Sequence, residues 1–201
     1  ENGGTGSSTQ NFVDLTTAQT VAGTKSFTND IRVNALSIGR GGNNQNSNVA
    51  FGTDALKVNL NGINNTALGM LSMVSNTNGS MNTSVGNGAM FTNTIGERNT
   101  ATGRYTLFSN TEGTDNTGIG FVSGSSITTG SRNTMLGSET NGTAAIENAT
   151  AIGYGATVAQ NNTIQLGNTN VTNVNTSGTV TANAFVGDGS GLSNINSTLT
   201  D

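Results

Sequence analysis

A repeat of 17 residues runs through the middle of this chain and limits what it can fold into. Asn65, Asn82, Asn99, Asn116 and Asn133 recur at that interval, each followed by Thr. Gly69, Gly86, Gly103, Gly120 and Gly137 stand four residues after them, and Gly62, Gly79, Gly96, Gly113 and Gly130 keep the same interval in the other half of the unit. The unit reads N-T-a-h-G-x-x-a-h-x-x-N-T-x-G-x-x, with h apolar and a small. Glycine, Asn and Thr series held in phase over five units mark a solenoid, in which each unit buries its apolar face only by stacking on its neighbours.

The interval also selects the secondary structure. Seventeen residues are too few for a pair of helices, and Gly, Asn and Thr are poor helix formers. Two short strands per unit fit, with glycine at the bends where positive φ or close backbone approach is needed. The residue before the first glycine forms an apolar row, Phe51, Leu68, Val85, Ile119, Leu136, Ile152 and Leu166, broken at Thr102. Five residues on, a second row of Leu56, Met73, Met90 and Leu107 lapses at Gly124. Both rows are expected to point inward, with Ala55, Ser72, Ala89, Thr106 and Ser123 as small residues between them. At about 4.8 Å per coil, roughly eight coils give a rod on the order of 40 Å long. Two medium apolar side chains per coil are little against the entropy of ordering a whole unit, so further copies of the chain are expected to complete the core.

Three segments follow from this reading. Residues 1–37 form a strand-rich N-terminal connector, with β-prone runs at Phe12-Val13-Asp14-Leu15, Val21 to Phe27 and Ile31-Arg32-Val33. Residues 38–167 form the repeat array, and 168–201 a C-terminal connector of strands and turns. With Glu at position 1 and no leader before it, the chain is expected to be a piece of something longer.

Towards its end the repeat shortens, to 16 residues from Asn133 and to 14 from Ala149. The unit Ala149-Thr150-Ala151-Ile152-Gly153-Tyr154-Gly155-Ala156-Thr157-Val158-Ala159 resembles the head repeat of trimeric autotransporter adhesins, A-x-A-I-G-x-x-A-x-A. That resemblance implies an all-β, left-handed parallel β-solenoid (β-roll) of 14–17-residue coils, assembled as an intertwined or side-by-side homotrimer. The N-T-A-L-G and N-T-x-G patterns are also similar to repeats in phage-type tail fibres and large bacterial surface proteins. The run from Thr181 to Leu192, T-A-x-x-F-x-G-D-G-S-G-L, resembles the linker that precedes the C-terminal chaperone of many tail fibres. The segment Leu15 to Phe27 resembles their opening segments. These likenesses imply a structural and adhesive part: a trimeric tail-fibre segment that presents or spaces a receptor-binding tip. A trimeric cell-surface adhesin head is the alternative, and the setting is extracellular, on a virion or particle fibre or a bacterial surface.

Composition excludes much else. The chain has 201 residues, 9% of them charged, and no His, Cys, Pro or Trp. Without His or Cys the usual Ser–His and Cys–His arrangements are unavailable, and the dispersed acids never pair in phase with the repeat, so no enzyme is expected. No cofactor or metal is expected either: Asp188-Gly189-Ser190-Gly191 reads as a turn, lacking both a P-loop lysine and EF-hand spacing. A net charge of −4 with scattered Lys and Arg argues against nucleic acid, and no apolar run is long enough for membrane insertion.

Two surface readings stand beside the fibre. Thr66, Thr83, Thr100, Thr117, Thr134 and Thr150 form a row that resembles ice-binding surfaces, although Thr is also simply a good strand former. A cell-surface receptor, glycan or protein, is expected where the repeat varies, at the two positions after the first glycine. Arg104, Tyr105 and Phe121 are the candidate anchors there. The same positions also suit packing against a second chain.

Overall fold

The computed structural model describes residues 30–34 and 36–181. The runs from Phe12 to Phe27 and from Ala182 to Leu192 lie outside the described residues. The elements are β1 (Ile31–Val33), β2 (Leu36–Gly39), a 3-10 turn (Gly42–Asn44), β3 (Val49–Phe51), β4 (Thr66–Leu68), β5 (Thr83–Val85), β6 (Thr100–Thr102), β7 (Thr117–Ile119), β8 (Thr134–Leu136), β9 (Asn141–Gly142), β10 (Thr150–Ile152), β11 (Thr157–Val158) and β12 (Ile164–Leu166). Strands β3 to β8, β10 and β12 pair in parallel, each with the strand of the next coil, and the chain is a parallel β-solenoid of about 7 turns. The pairing joins equivalent residues: Thr66 to Thr83, Thr83 to Thr100, Thr100 to Thr117, and, across the shorter unit, Thr134 to Thr150.

The first coil is covered at its free edge. Strand β2 runs antiparallel to β3, with Ile38 opposite Phe51, and β1 folds back on β2. The Asp30 carboxylate accepts from the Arg40 and Gly41 N–H groups at 2.8 and 3.1 Å, tying down the chain as it leaves β2. The edge strand at this end of the sheet, among the described residues, is then the three-residue β1, and a very short edge strand is a poor template for pairing with another chain. Beyond β12, residues 171–181 are exposed and carry no strand. Among the described residues, no helix is long and apolar enough to cross a membrane.

The interior corrects one expectation. Leu56, Met73, Met90 and Leu107 are fully buried, but Phe51, Leu68, Ile119, Leu136, Ile152 and Leu166 point outward. A three-residue strand alternates once, so its first and third residues share one face and only the middle one faces in. That middle residue is Ala50, Ala67, Ser84, Ala101, Gly118, Met135 or Ala151, each buried and most of them small. The reason is width: the Leu or Met row already fills the coil from the opposite wall. Where that row lapses at Gly124, Met135 takes up the space, its Cγ 3.3 Å from where a Gly124 Cβ would stand. Gly118 conversely leaves room for Leu107.

The second strand expected in each unit exists only as the short pair β9–β11, where Thr157 lies beside Asn141. In the 17-residue coils that stretch is a run of turns in which every second residue is left-handed, as at Gly69 (φ 130°), Leu71 (φ 59°) and Met73 (φ 50°). It still bonds from coil to coil: Leu71 N–H donates to the Thr53 carbonyl at 2.9 Å and Met73 N–H to the Ala89 carbonyl at 3.0 Å. Those bonds, and burial of the row at Met73, hold residues that strain would otherwise expel.

The last residue of each unit is also left-handed, and here the side chain is free to change. Asn64, Asn148 and Asn162 suit the position, whereas Met81 (φ 59°) is exposed and poorly matched to it. Met81→Asn is expected to raise stability by about 0.5–1 kcal/mol, since a left-handed conformation is cheap for Asn and costly for Met. A urea titration read by circular dichroism checks the sign, with an unchanged or lower midpoint counting against it.

Asparagine forms most of the polar part of the core, with Ser72, Ser84, Thr106, Ser123 and Thr140 as the rest. In the first ladder the Oδ1 of Asn65, Asn82, Asn99 and Asn116 accepts the backbone N–H of the next Asn, at 2.9–3.0 Å. Their Nδ2 groups donate to the second-series glycine carbonyls, for example Asn99 to Gly113 at 2.8 Å. In a second ladder the side chains bond directly, Asn76 to Asn59, Asn93 to Asn76 and Asn110 to Asn93, at 2.7–2.8 Å. Ile127 stands where the next Asn would be, so Asn110 Oδ1 is left as the one buried side-chain polar atom without a partner among the described residues.

Candidate functional site

Each coil presents three surfaces. On the outer face of the long sheet, Thr and apolar residues stand two apart and in register, giving Thr66 with Leu68, Thr117 with Ile119, Thr134 with Leu136 and Thr150 with Ile152. The exposed apolar members are between 38% (Ile152) and 46% (Leu166) exposed and form a stripe beside the Thr row, interrupted at the half-buried Val85 and at Thr102. On the surface that carries the second glycine series, charges pair along the stack. Arg98 grips Asp115 through Nε and Nη2 at 2.7 and 3.0 Å, and Arg132 meets Glu147 at 2.8 Å. The hydrogen bond from Arg98 holds the Asp115 carboxyl below the usual carboxylate range.

The third surface begins at the first glycine of the unit, whose left-handed bend turns the chain away from the sheet. There the structure gathers the three residues singled out by repeat variation. The Arg104 guanidinium lies over the Tyr105 ring, 4.3 Å from its centroid, and 6.0 Å from that of Phe121. One Arg104 N–H donates to Tyr105 Oη at 3.1 Å. Arg98 and Arg132 have carboxylate partners, whereas Arg104 has none among the described residues.

Tyr105 in turn forms part of a groove of about 560 Å³ lined also by Leu71, Phe91, Phe108, Ser109, Val122, Ser125 and Ser126. Phe91 and Phe108 occupy equivalent positions in adjacent coils and stack at 5.1 Å between centroids, 16° from parallel. Tyr105 meets Phe108 edge-on at 5.3 Å. Gly88 makes this arrangement fit, because a Cβ there would lie 2.7 Å from two carbons of the Tyr105 ring. Next along the stack, Ser125 stands where Phe108 stood in the coil before, and Asn141 Nδ2 donates to Ser126 Oγ at 2.9 Å.

Sequence reasoning named Arg104, Tyr105 and Phe121, which the structure brings together, and did not name Phe91 and Phe108 next to them. The signal was present: Val74, Phe91 and Phe108 share the tenth place of their units, and only two coils carry an aromatic there. Compared with known proteins, the chain matches no family model, no curated sequence and no solved structure.

Proposed function

We propose that this chain is a non-catalytic segment of a trimeric extracellular fibre of the phage-type tail-fibre kind, which spaces or presents a receptor-binding surface. Left-handed coils of 14–17 residues from three copies would lie together with their long sheets turned to one another. The observation that carries this reading is the outward apolar stripe of Leu68, Ile119, Leu136, Ile152 and Leu166 on successive parallel strands of one sheet. Exposed apolar side chains in register over the four coils from Ile119 to Leu166 mark an interface more often than open solvent. A trimeric cell-surface adhesin head would use the stripe in the same way and stays as the alternative.

The molar mass of the purified chain by light scattering tests the proposal. A mass near three chains, unchanged on dilution, is the expected result, and a folded monomer at every concentration would overturn it. Leu68→Lys, Ile119→Lys and Leu136→Lys together are expected to give soluble monomers, because like charges would then face each other where apolar contact was needed. The Thr row on the same face supports one second reading, an ice-binding surface. A monomer that shows thermal hysteresis would favour it, whereas a trimer that covers the row would remove it.

A further inference from the structure

We propose that the groove floored by Phe91, Tyr105 and Phe108 binds an anionic saccharide, with the acidic group taken by Arg104. The inference rests on the adhesive half of the function proposed above and names its ligand. A pyranose ring has a flat C–H face and a rim of hydroxyls. The groove offers a complement to both: the Phe108 ring, covered on one face by Phe91 and followed in the next coil only by the short Ser125, and the hydroxyls of Ser109, Ser125 and Ser126 beside it. Its volume of about 560 Å³ lies within the usual range for small-molecule sites.

Charge decides which saccharide. Arg104 is exposed, spends one N–H on Tyr105 Oη and has no carboxylate partner among the described residues, so most of its five donors are free; it does not line the groove itself but lies over Tyr105, which does. Contact with the Tyr105 ring, 4.3 Å from its centroid, and the bond to Tyr105 Oη anchor the guanidinium at one end, and its remaining N–H groups suit a fork of two bonds to a carboxylate or sulfate. A guanidinium so placed discriminates by charge, while the aromatic floor accepts the ring whatever its substituent.

The site departs from the repeat where a site must. Gly88 opens the space that Tyr105 lies across, Phe91 and Phe108 are confined to two adjacent coils, and Ser125 breaks the bulky series in the next. Neighbouring coils of the same backbone carry Lys57 or Val74 at that place and build no such platform.

Isothermal titration with lactose, sialyllactose and lactose sulfate tests the assignment. At least one acidic sugar is expected to bind about tenfold or more tightly than lactose, the effect of one charge-assisted contact. Arg104→Gln is expected to bring the acidic sugars down to the affinity of lactose. Phe108→Ala is expected to abolish binding of all three, and Ser126→Phe, which fills the groove from an exposed position, to do the same without touching the floor. The relative affinity of the two acidic sugars identifies the preferred acid, and either preference supports the site. No binding of any sugar, or binding that Arg104→Gln and Ser126→Phe leave unchanged, would overturn it. A three-chain mass without sugar binding removes this inference alone. Sugar binding by a monomer removes the fibre alone.

Discussion

Gly86→Ala is expected to cost about 4 kcal/mol or more, enough to break the array in two. Gly86 sits at φ 139°, where an L side chain is strained whatever the space around it. Space is lacking as well: a Cβ there would lie 2.4 Å from the Gly103 carbonyl oxygen and 2.6 Å from its carbon. Both are backbone atoms of the next coil, so no rotamer change relieves the clash. Gly103 stands in the same relation to Gly120, and Gly69 to Gly86, so displacing one rung presses on the next. Because a solenoid is held by nearest-neighbour contacts, the damage should stay local at first. Hydrogen exchange is expected to show lost protection over residues 82–115 ahead of the flanking coils. Asn87→Ala, one residue away, serves as the control and should change stability by no more than about 0.5 kcal/mol. A Gly86→Ala protein with the wild-type midpoint would show that the column tolerates a side chain.

Asn99→Leu is expected to cost about 2–4 kcal/mol, although it puts an apolar residue of similar size into a fully buried place. The Asn116 N–H loses the Asn99 Oδ1 that it donates to at 2.9 Å, and no water reaches it there. The Gly113 carbonyl loses its 2.8 Å donor and keeps only the longer bond from Asn110 at 3.2 Å. Asn110→Leu is the informative contrast. Asn110 Oδ1 already lacks a partner, and the Gly113 carbonyl would retain Asn99, so only Asn93 Oδ1 is newly orphaned. Its cost should be about 1 kcal/mol, the low end for one orphaned buried acceptor, because the substitution also removes the Asn110 Oδ1 that was already unpaired. Chemical denaturation of the two variants in parallel checks the ranking. Equal losses would mean that volume, and not hydrogen bonding, sets the tolerance of the Asn positions.

These two variants touch the residues whose importance was plainest in the sequence. Glycine at a fixed interval has few physical causes, so Gly69, Gly86 and Gly103 already pointed to a stacked backbone. The Asn row was equally visible as a period, but its burial was not, because an amide looks like a turn residue until its bonding partners are known. The outward turn of Leu68 and its equivalents was hidden for a related reason. A strand of three residues offers a single alternation, and the residue that does face inward, Ala67 or Gly118, is too small to register as core. At the candidate site, Arg104, Tyr105 and Phe121 stood out as variable positions, while Phe91 and Phe108 fell between the two ladders being counted. What joined them was the distance across a coil, which the linear sequence does not contain.

The coil-to-coil bonding has a mechanical consequence. Hydrogen bonds such as Thr66 N–H to the Asn82 carbonyl and Thr83 N–H to the Asn99 carbonyl run along the stack, with their strands across it. A pull along the stack therefore opens these bonds one rung after another, as a zipper opens, and never loads a whole strand in shear. Under tension a single chain would lengthen coil by coil in small, nearly equal steps. If copies lie side by side as proposed, resistance to pulling would come from sideways contact between neighbouring rods, and the outward stripe would matter for strength as well as for assembly.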